Sequence, residues 1–106
     1  MESELEKVTV GIIVRDFDLQ EISWNENFLE EARILLVAKI DFLLDHDFEK
    51  LLWILYRIDV NEEKARQALA LQSEKRPSEL LADFIIERQI EKAKTRLKYK
   101  SDPGDF

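Results

Sequence analysis

Four neighbouring side chains near the middle of the chain could do chemistry together: Asp41, Asp45, His46 and Asp47. Residues four apart share a helical face, so Asp41 and Asp45 could hold one divalent cation. His46 beside them could act as a general base. This pattern would predict a divalent-metal-dependent hydrolase. The same residue types are also typical of a helix end and an N-cap. That structural interpretation is preferred, so we expect no metal, no cofactor and no catalytic residue.

The composition excludes several other kinds of site. The chain has 106 residues, no cysteine, one histidine and two glycines, Gly11 and Gly104. With so few glycines, neither a Walker phosphate loop nor a Gly-rich dinucleotide-binding motif can form. Without cysteine there is no thiolate chemistry and none of the usual structural zinc sites. We therefore expect a protein that is not an enzyme.

The N-terminus and the hydropathy pattern predict a cytoplasmic protein. Residues 1–6 are acidic and lack the cationic start of a secretory signal. The longest nearly apolar run, residues 34–44, is interrupted by Lys39 and Asp41 and is too short to span a bilayer. The absence of cysteine suits a reducing compartment. We expect no membrane association.

Charge is unevenly distributed along the chain. Residues 1–62 hold 15 acidic and 6 basic side chains, and residues 63–106 hold 8 acidic and 10 basic ones. An acidic body repels nucleic acid as a whole. Only residues 88–100, with six bases and one acid, could lie along phosphates. Because no set of base-reading side chains lies on one face of this segment, nucleic-acid association is an alternative and not the preferred function.

The first 24 residues allow two secondary structures. Apolar β-branched residues alternate with other residues over 7–14, which favours a strand, and residues 19–24 could return as its partner. Alternatively, Leu5, Val8 and Ile12 share one face of a helix. Because everything downstream is helical, the helix is preferred.

The remaining sequence predicts a mainly α-helical fold, a small bundle of about four helices over residues 25–99. We expect one domain over residues 1–106, with a flexible tail at 100–106. Within this bundle, the expected N-caps are Asn25 or Ser23 for the helix that follows Trp24, and an aspartate of the 45–47 junction for the next helix. Asn61 should cap the third helix, and Pro77 should lie in the first turn of the last one. The first two helices are apolar nearly all round, so both are expected to be buried.

The last helix carries the one unusual apolar pattern. Leu80, Leu81, Phe84 and Ile85 lie on one side, whereas the apolar residues of its second half lie nearly opposite. This second stripe consists of Ile86, Ile90, Ala93 and Leu97. Either the second half packs on another part of the same domain, or the stripe binds a helix of a second copy or of another protein.

The charges of that helix are sorted into rows of like sign. Acidic residues recur every four positions from Glu79 to Glu91, and basic ones from Arg88 to Lys100. Like pairs at this spacing cost about 0.2–0.5 kcal/mol each in an isolated helix. If the stripe is an interface, Arg88, Glu91 and Lys92 would set orientation and partner choice. The leading hypothesis is therefore a non-catalytic interaction or self-associating domain, such as a homodimer, that acts through its C-terminal helix.

Two runs of the sequence resemble a known group of proteins. Residues 48–64, FEKLLWILYRIDVNEEK, and residues 85–89, IIERQ, are similar to small uncharacterised helical proteins of Bacteroidetes-type bacteria. The resemblance covers residues from about 28 to 97. It implies a cytoplasmic bacterial protein of mostly helical fold, and it implies no activity and no site residues.

Overall fold

Five α-helices make up most of the part of the chain that the structure describes. The computed structural model describes residues 2–20, 22–70 and 75–101, with side chains for 4–20, 22–70 and 75–99. In chain order the helices are α1 (Glu2–Phe17), α2 (Phe28–His46), α3 (Phe48–Arg57), α4 (Glu62–Ala70) and α5 (Pro77–Ser101). These residues contain no strand. The predicted mainly α-helical bundle, with four helices after Trp24, is confirmed.

The N-terminal segment is a helix and not a strand. In α1 the residues at positions 9, 10, 12, 13 and 17 are buried, which is helical spacing. Thr9 Oγ1 donates to the carbonyl of Leu5 at 2.7 Å, four residues back, which accommodates its β-branched side chain within the helix. Of the alternative second strand, residues 19, 20 and 22–24 are described; they lie in the connection between α1 and α2, and Ile22 is buried there. A strand without a partner could not satisfy its backbone, whereas a helix satisfies it locally.

Two helices end on an aspartate in the left-handed backbone conformation. Asp18 has φ 51° and Asp59 has φ 63°. After each, a backbone N–H closes the helix end: Leu19 N donates to Val14 O at 3.0 Å, and Val60 N donates to Leu55 O at 3.1 Å. This is the bond pattern of a Schellman cap, which usually uses glycine. Aspartate replaces glycine there at a smaller cost than most side chains would incur.

Two of the predicted N-caps are confirmed, at the helices that directly follow an aspartate or an asparagine. Asp47 Oδ1 accepts from Lys50 N at 3.2 Å at the start of α3, and Asn61 Oδ1 accepts from Lys64 N at 3.0 Å at the start of α4. The cap predicted for α2 is wrong. Asn25 Oδ1 instead accepts from Asn27 N at 2.8 Å, so it forms a turn before the helix, and Asn27 occupies the N-cap position.

The core consists of two buried clusters. The larger one joins all five helices, and its fully buried members include Leu36, Ile40, Leu51, Leu81 and Ile85. The smaller one lies between α1, the following connection and α2, and it contains Val10, Ile22, Phe28 and Ala32. Since α1 contributes to both clusters, it is held on two sides.

One glycine weakens α1 without a structural need. Gly11 is exposed in the helix interior, and an added Cβ would meet no atom within 4 Å. Gly11→Ala should therefore raise the free energy of unfolding by about 0.5–1 kcal/mol, as measured by urea denaturation. Lys7→Ala, at another exposed α1 position, is the control and should have a smaller effect. Equal stability of Gly11→Ala and the natural chain would show that α1 is not helical at this position in solution.

None of the helices described is both long enough and apolar enough to cross a membrane. The predicted tail at 100–106 overlaps the end of α5, which continues through Ser101. The rest of that tail lies outside the described residues, as do four residues of the connection between α4 and α5, 71–74.

Candidate protein-interaction surface

The second apolar stripe of α5 lies largely inside the protein. Ala93 is fully buried, and Ile86, Ile90 and Leu97 are half-buried. Ile86 packs against the main core cluster and lines a small apolar space with residues of α1 and α2. The change of face along α5 thus corresponds to packing on different parts of one domain. Ala93 has no exposed surface in the folded chain, which does not favour it as an interface residue; whether the stripe binds a partner stays a prediction.

The charged residues predicted to set specificity interact mainly within the chain. Arg88 lies 3.3 Å from Glu91 and 3.6 Å from Asp59, measured between guanidinium and carboxylate atoms. Lys92 is half-buried. Burial lowers the pKa of Lys92 and the charge of Arg88 lowers it further, against the opposing effects of Asp16 and Asp59. Whether Arg88, Glu91 and Lys92 also bind a partner stays a prediction.

The acidic row of α5 is paired with basic side chains of α2, of α4, of the segment before α5 and of α5 itself. Each of its four carboxylates lies within 4 Å of a basic nitrogen. The pairs are Glu79 with Arg76 (3.3 Å), Asp83 with Arg33 (3.0 Å) and with Lys75 (3.2 Å), Glu87 with Lys64 (3.7 Å), and Glu91 with Arg88 (3.3 Å). Burial raises the pKa of Asp83, but the hydrogen bonds and charges of Arg33 and Lys75 outweigh it and hold this pKa below its usual range. The like-charged row therefore matches cations within the chain and requires no external partner.

A buried polar pair joins α1 to α5, and no pattern in the sequence indicated it. Gln89 is fully buried, and its Nε2 donates to Asp16 Oδ2 at 2.8 Å. The Asp16 side chain is 4% exposed and also accepts from Arg15 Nη2 at 3.3 Å. Gln89 Oε1 has no hydrogen-bond partner. These contacts span 73 positions of sequence, which helical periodicity along a single segment cannot reveal.

The end of α5 is exposed on nearly every side. Of residues 94–99, only Leu97 is half-buried. The exposed ones include three bases, Lys94, Arg96 and Lys98, and one aromatic, Tyr99, which is 59% exposed. Leu97 keeps one face of these turns partly covered, and the three bases and Tyr99 lie on the exposed faces.

The residues predicted to support catalysis, Asp41, Asp45, His46 and Asp47, mostly have structural partners. Asp41 Oδ2 lies 3.2 Å from Arg76 Nη1, and Asp47 caps α3. The His46 ring stacks on Phe42 with centroids 4.4 Å apart, and its Nδ1 lies 3.0 Å from the carbonyl oxygen of Phe42. Asp45 is exposed. Within the described residues, no group of three or more histidine or acidic side chains is placed to hold a metal ion.

The outer face of α3 exposes four large apolar side chains. Their exposed fractions are 43% for Phe48, 44% for Leu52, 58% for Trp53 and 86% for Tyr56. The expectation that α3 is buried on all sides is therefore wrong: only Leu51, Ile54 and Leu55 are buried in it. The signal was present in the sequence, since Phe48, Leu52 and Tyr56 are four residues apart and lie off the buried stripe.

A groove between α3 and α4 lies beside these side chains. Its volume is about 650 Å³. Its apolar lining consists of Leu52, Leu55, Tyr56, Val60 and Ala65, and its polar lining consists of Asp59, Asn61 and Glu62. The carboxylate side chains of Asp59 and Glu62 are 85% and 87% exposed, and none of these lining residues is basic. The site therefore combines an apolar floor with an acidic rim.

A smaller set of exposed apolar residues lies on α2. Ile34 is 61% exposed and Phe42 is 53% exposed. The expectation that α2 is buried all round is thus also wrong. Neither residue lines the groove between α3 and α4, so substitutions on α2 can serve as controls for that groove.

No protein family, curated protein or solved structure matched this chain when it was compared with them. The resemblance to helical proteins of Bacteroidetes-type bacteria therefore stays a prediction.

Proposed function

We propose that this chain is a non-catalytic protein-interaction domain that binds a cationic amphipathic helix of a protein partner in the groove between α3 and α4. The observation that carries this proposal is the exposure of four large apolar side chains on one ten-residue helix. Contiguous exposed apolar surface with a polar rim is a common mark of protein-interaction sites. The proposed interaction surface is therefore on α3 and α4, in preference to the 86/90/93/97 stripe of α5.

The shape of the surface favours a helix over a small molecule. Phe48 and Trp53 extend the exposed apolar area along α3 beyond the residues that line the groove. A small ligand would fill the groove and leave these side chains in water. An amphipathic helix can place apolar residues three or four apart into the groove and cover the neighbouring side chains as well.

The charges around the groove favour a cationic partner. Asp59 and Glu62 lie exposed at the rim, where each also pairs within the chain, Asp59 with Arg88 at 3.6 Å and Glu62 with Arg66 at 3.1 Å, and the whole chain has a net charge of −7. Opposite charges across an interface increase the rate of encounter and exclude partners of like charge. A helix with apolar residues on one face and lysine or arginine beside them is complementary to the apolar floor and to the acidic rim.

The other candidate functions have less support. In the folded chain Arg88 and Lys92 lie near carboxylates, so fewer bases of residues 88–100 are left for nucleic acid. The members of the Asp41–Asp47 cluster serve mainly as a cap, an ion pair and a ring stack. We propose that the domain acts in the cytoplasm of a bacterium, as the lack of cysteine and the sequence resemblance favour.

A labelled peptide tests the proposed binding. The probe is a 14-residue helical peptide with leucine on one face and lysine on the other, titrated by fluorescence anisotropy at about 0.15 M ionic strength. We expect saturable binding, and we expect Leu52→Gln and Tyr56→Gln to weaken it about tenfold each, because each removes apolar contact worth about 1.4 kcal/mol. Both positions are exposed, so both variants should fold, which circular dichroism checks.

Two controls separate groove binding from general attraction to an acidic protein. Ile34→Gln removes a comparably exposed apolar side chain from α2 and should leave the affinity unchanged. A scrambled peptide of equal composition keeps the charge but loses the apolar face, and it should bind at least tenfold more weakly. If the groove variants bind the probe as tightly as Ile34→Gln does, the proposed site is wrong.

A further inference from the structure

We propose that Arg88 of α5 competes with the partner for the groove between α3 and α4, because it holds a rim carboxylate that a cationic helix would bind. This inference rests on the proposed function and names a regulation of that site. The carboxylate belongs to Asp59, whose Oδ2 lies 3.6 Å from Arg88 Nη2. A base of the partner has to replace Arg88 before it can pair with Asp59.

Asp59 lies between two open spaces. Together with Val60 and Asn61, it lines the groove and also a second space of about 480 Å³ between α4 and α5. Arg88 lines this second space, so it reaches the rim from the side of α5. A guanidinium next to a carboxylate offsets much of its negative potential. The acidic rim is therefore weaker in the free protein than its residue types alone imply.

The ion pair is suited to exchange with a partner's base. Arg88 Nη1 lies 3.3 Å from Glu91 Oε2, so the guanidinium keeps one carboxylate when Asp59 pairs elsewhere. The Asp59 side chain is 85% exposed, and ion pairs at such exposure are weak. A lysine or arginine of a docked helix can therefore take the place of Arg88. An apolar helix without such a base leaves the internal pair intact, so Arg88 also favours cationic partners.

The second rim carboxylate is paired in a different way. Glu62 lies 3.1 Å from Arg66, but both residues belong to α4, and their side chains are 87% and 66% exposed. Such a pair between positions four apart forms within one helix and needs no other element. Arg88 instead links the rim to another helix, and its side chain is only 30% exposed. Control of the groove by the rest of the fold therefore acts through Arg88.

The backbone fixes Asp59 at this position independently of its charge. Its φ of 63° is left-handed, and Val60 N donates to Leu55 O at 3.1 Å to close the end of α3. Asparagine also adopts this conformation more readily than most residues. Asp59→Asn should therefore remove the charge and keep the helix end, which allows the two roles of Asp59 to be separated.

Arg88→Gln tests the competition, with the leucine–lysine peptide as the probe and fluorescence anisotropy at about 0.15 M ionic strength as the readout. We expect this variant to bind the peptide about two- to fivefold more tightly than the natural chain, because Asp59 is released. Arg88→Met keeps the apolar part of the side chain and should give the same gain if Arg88→Gln does not fold. The double variant Arg88→Gln with Asp59→Asn should bind only as tightly as Asp59→Asn alone.

Arg76→Gln is the matched control. Arg76 also bridges two carboxylates, Asp41 at 3.2 Å and Glu79 at 3.3 Å, so its loss changes the net charge by the same amount. These three residues line a different depression, between α2 and α5. Arg76→Gln should therefore leave the affinity for the peptide unchanged, and circular dichroism checks that all variants are folded.

The outcomes separate this inference from the proposed function. If the peptide binds the natural chain and Leu52→Gln weakens it, but Arg88→Gln binds no more tightly than Arg76→Gln, only the competition by Arg88 is wrong. A gain that persists in the presence of Asp59→Asn would likewise overturn it, since the effect would then be one of overall charge. If neither the natural chain nor Arg88→Gln binds the peptide, the proposed function is wrong, and the competition with it.

Discussion

Leu51→Ala should lower the free energy of unfolding by about 2–5 kcal/mol, whereas Leu52→Ala, one residue further along α3, should lower it by less than about 1 kcal/mol. Leu51 is 0% exposed within the main core cluster, and Leu52 is 44% exposed beside the groove. Leucine and alanine differ little in helix propensity, so the difference between the two variants reports burial. Small domains are stable by only about 5–15 kcal/mol, so the Leu51→Ala variant should be visibly less stable in urea.

The same pair of variants separates stability from binding. Leu52→Ala should keep most of the stability and lose affinity for the leucine–lysine peptide. Leu51→Ala should lose stability. At temperatures where this variant is still folded, its groove should keep the same exposed side chains. Equal losses of stability in the two variants would show that α3 is buried on both faces, as the sequence pattern alone predicts, and the surface proposed for binding would not exist in solution.

Ala93→Leu should lower the free energy of unfolding by about 1–3 kcal/mol, because Ala93 is fully buried and the larger side chain has no space between α5 and its neighbours. Lys94→Leu adds an apolar side chain at the next position, which is exposed, and should change stability by no more than about 0.5 kcal/mol. Urea denaturation of both variants measures the difference.

This comparison also decides between the two interpretations of the α5 stripe. If Ala93 packs inside the domain, Ala93→Leu is destabilising and leaves the solution mass of the folded chain unchanged. If Ala93 instead lies at an interface between copies, Ala93→Leu is tolerated by the monomer and changes the mass. The second outcome would restore residues 86, 90, 93 and 97 as the interaction surface.

Helix α5 has two roles along its length. Its first half packs into the main core through Leu81 and Ile85, and its middle is anchored to α1 through Gln89 and Asp16. Its last turns carry the exposed bases Lys94, Arg96 and Lys98.

The junctions between helices were predictable because their causes are local. Asp47 and Asn61 cap the helices that follow them, as expected, since a short polar side chain before a helix accepts from backbone N–H groups two or three residues away. Asn25 was misassigned because the same residue type also stabilises a turn, and sequence does not decide between the two.

Sequence reasoning was least accurate on which apolar residues face water. Helices α2 and α3 carry more apolar residues than their buried faces can hold, and the excess in α3 forms the proposed binding surface. The like-charged row of α5 was misleading for a related reason. Arg33 and Lys64, which pair with Asp83 and Glu87, come from α2 and α4, so local spacing suggested repulsion where the folded chain has ion pairs.

The sequence by itself determined the helical class, the caps of α3 and α4, and the absence of cysteine and of glycine-rich loops, because composition, periodicity and capping act within a few residues. Only the tertiary structure decided that Ala93 is buried, that Gln89 meets Asp16, and that the outer face of α3 is left open beside an acidic groove. These facts depend on which helices pack together and on how far each one extends beyond the others. Packing of this kind is set by shape and by contacts between residues far apart in sequence, which no single segment encodes.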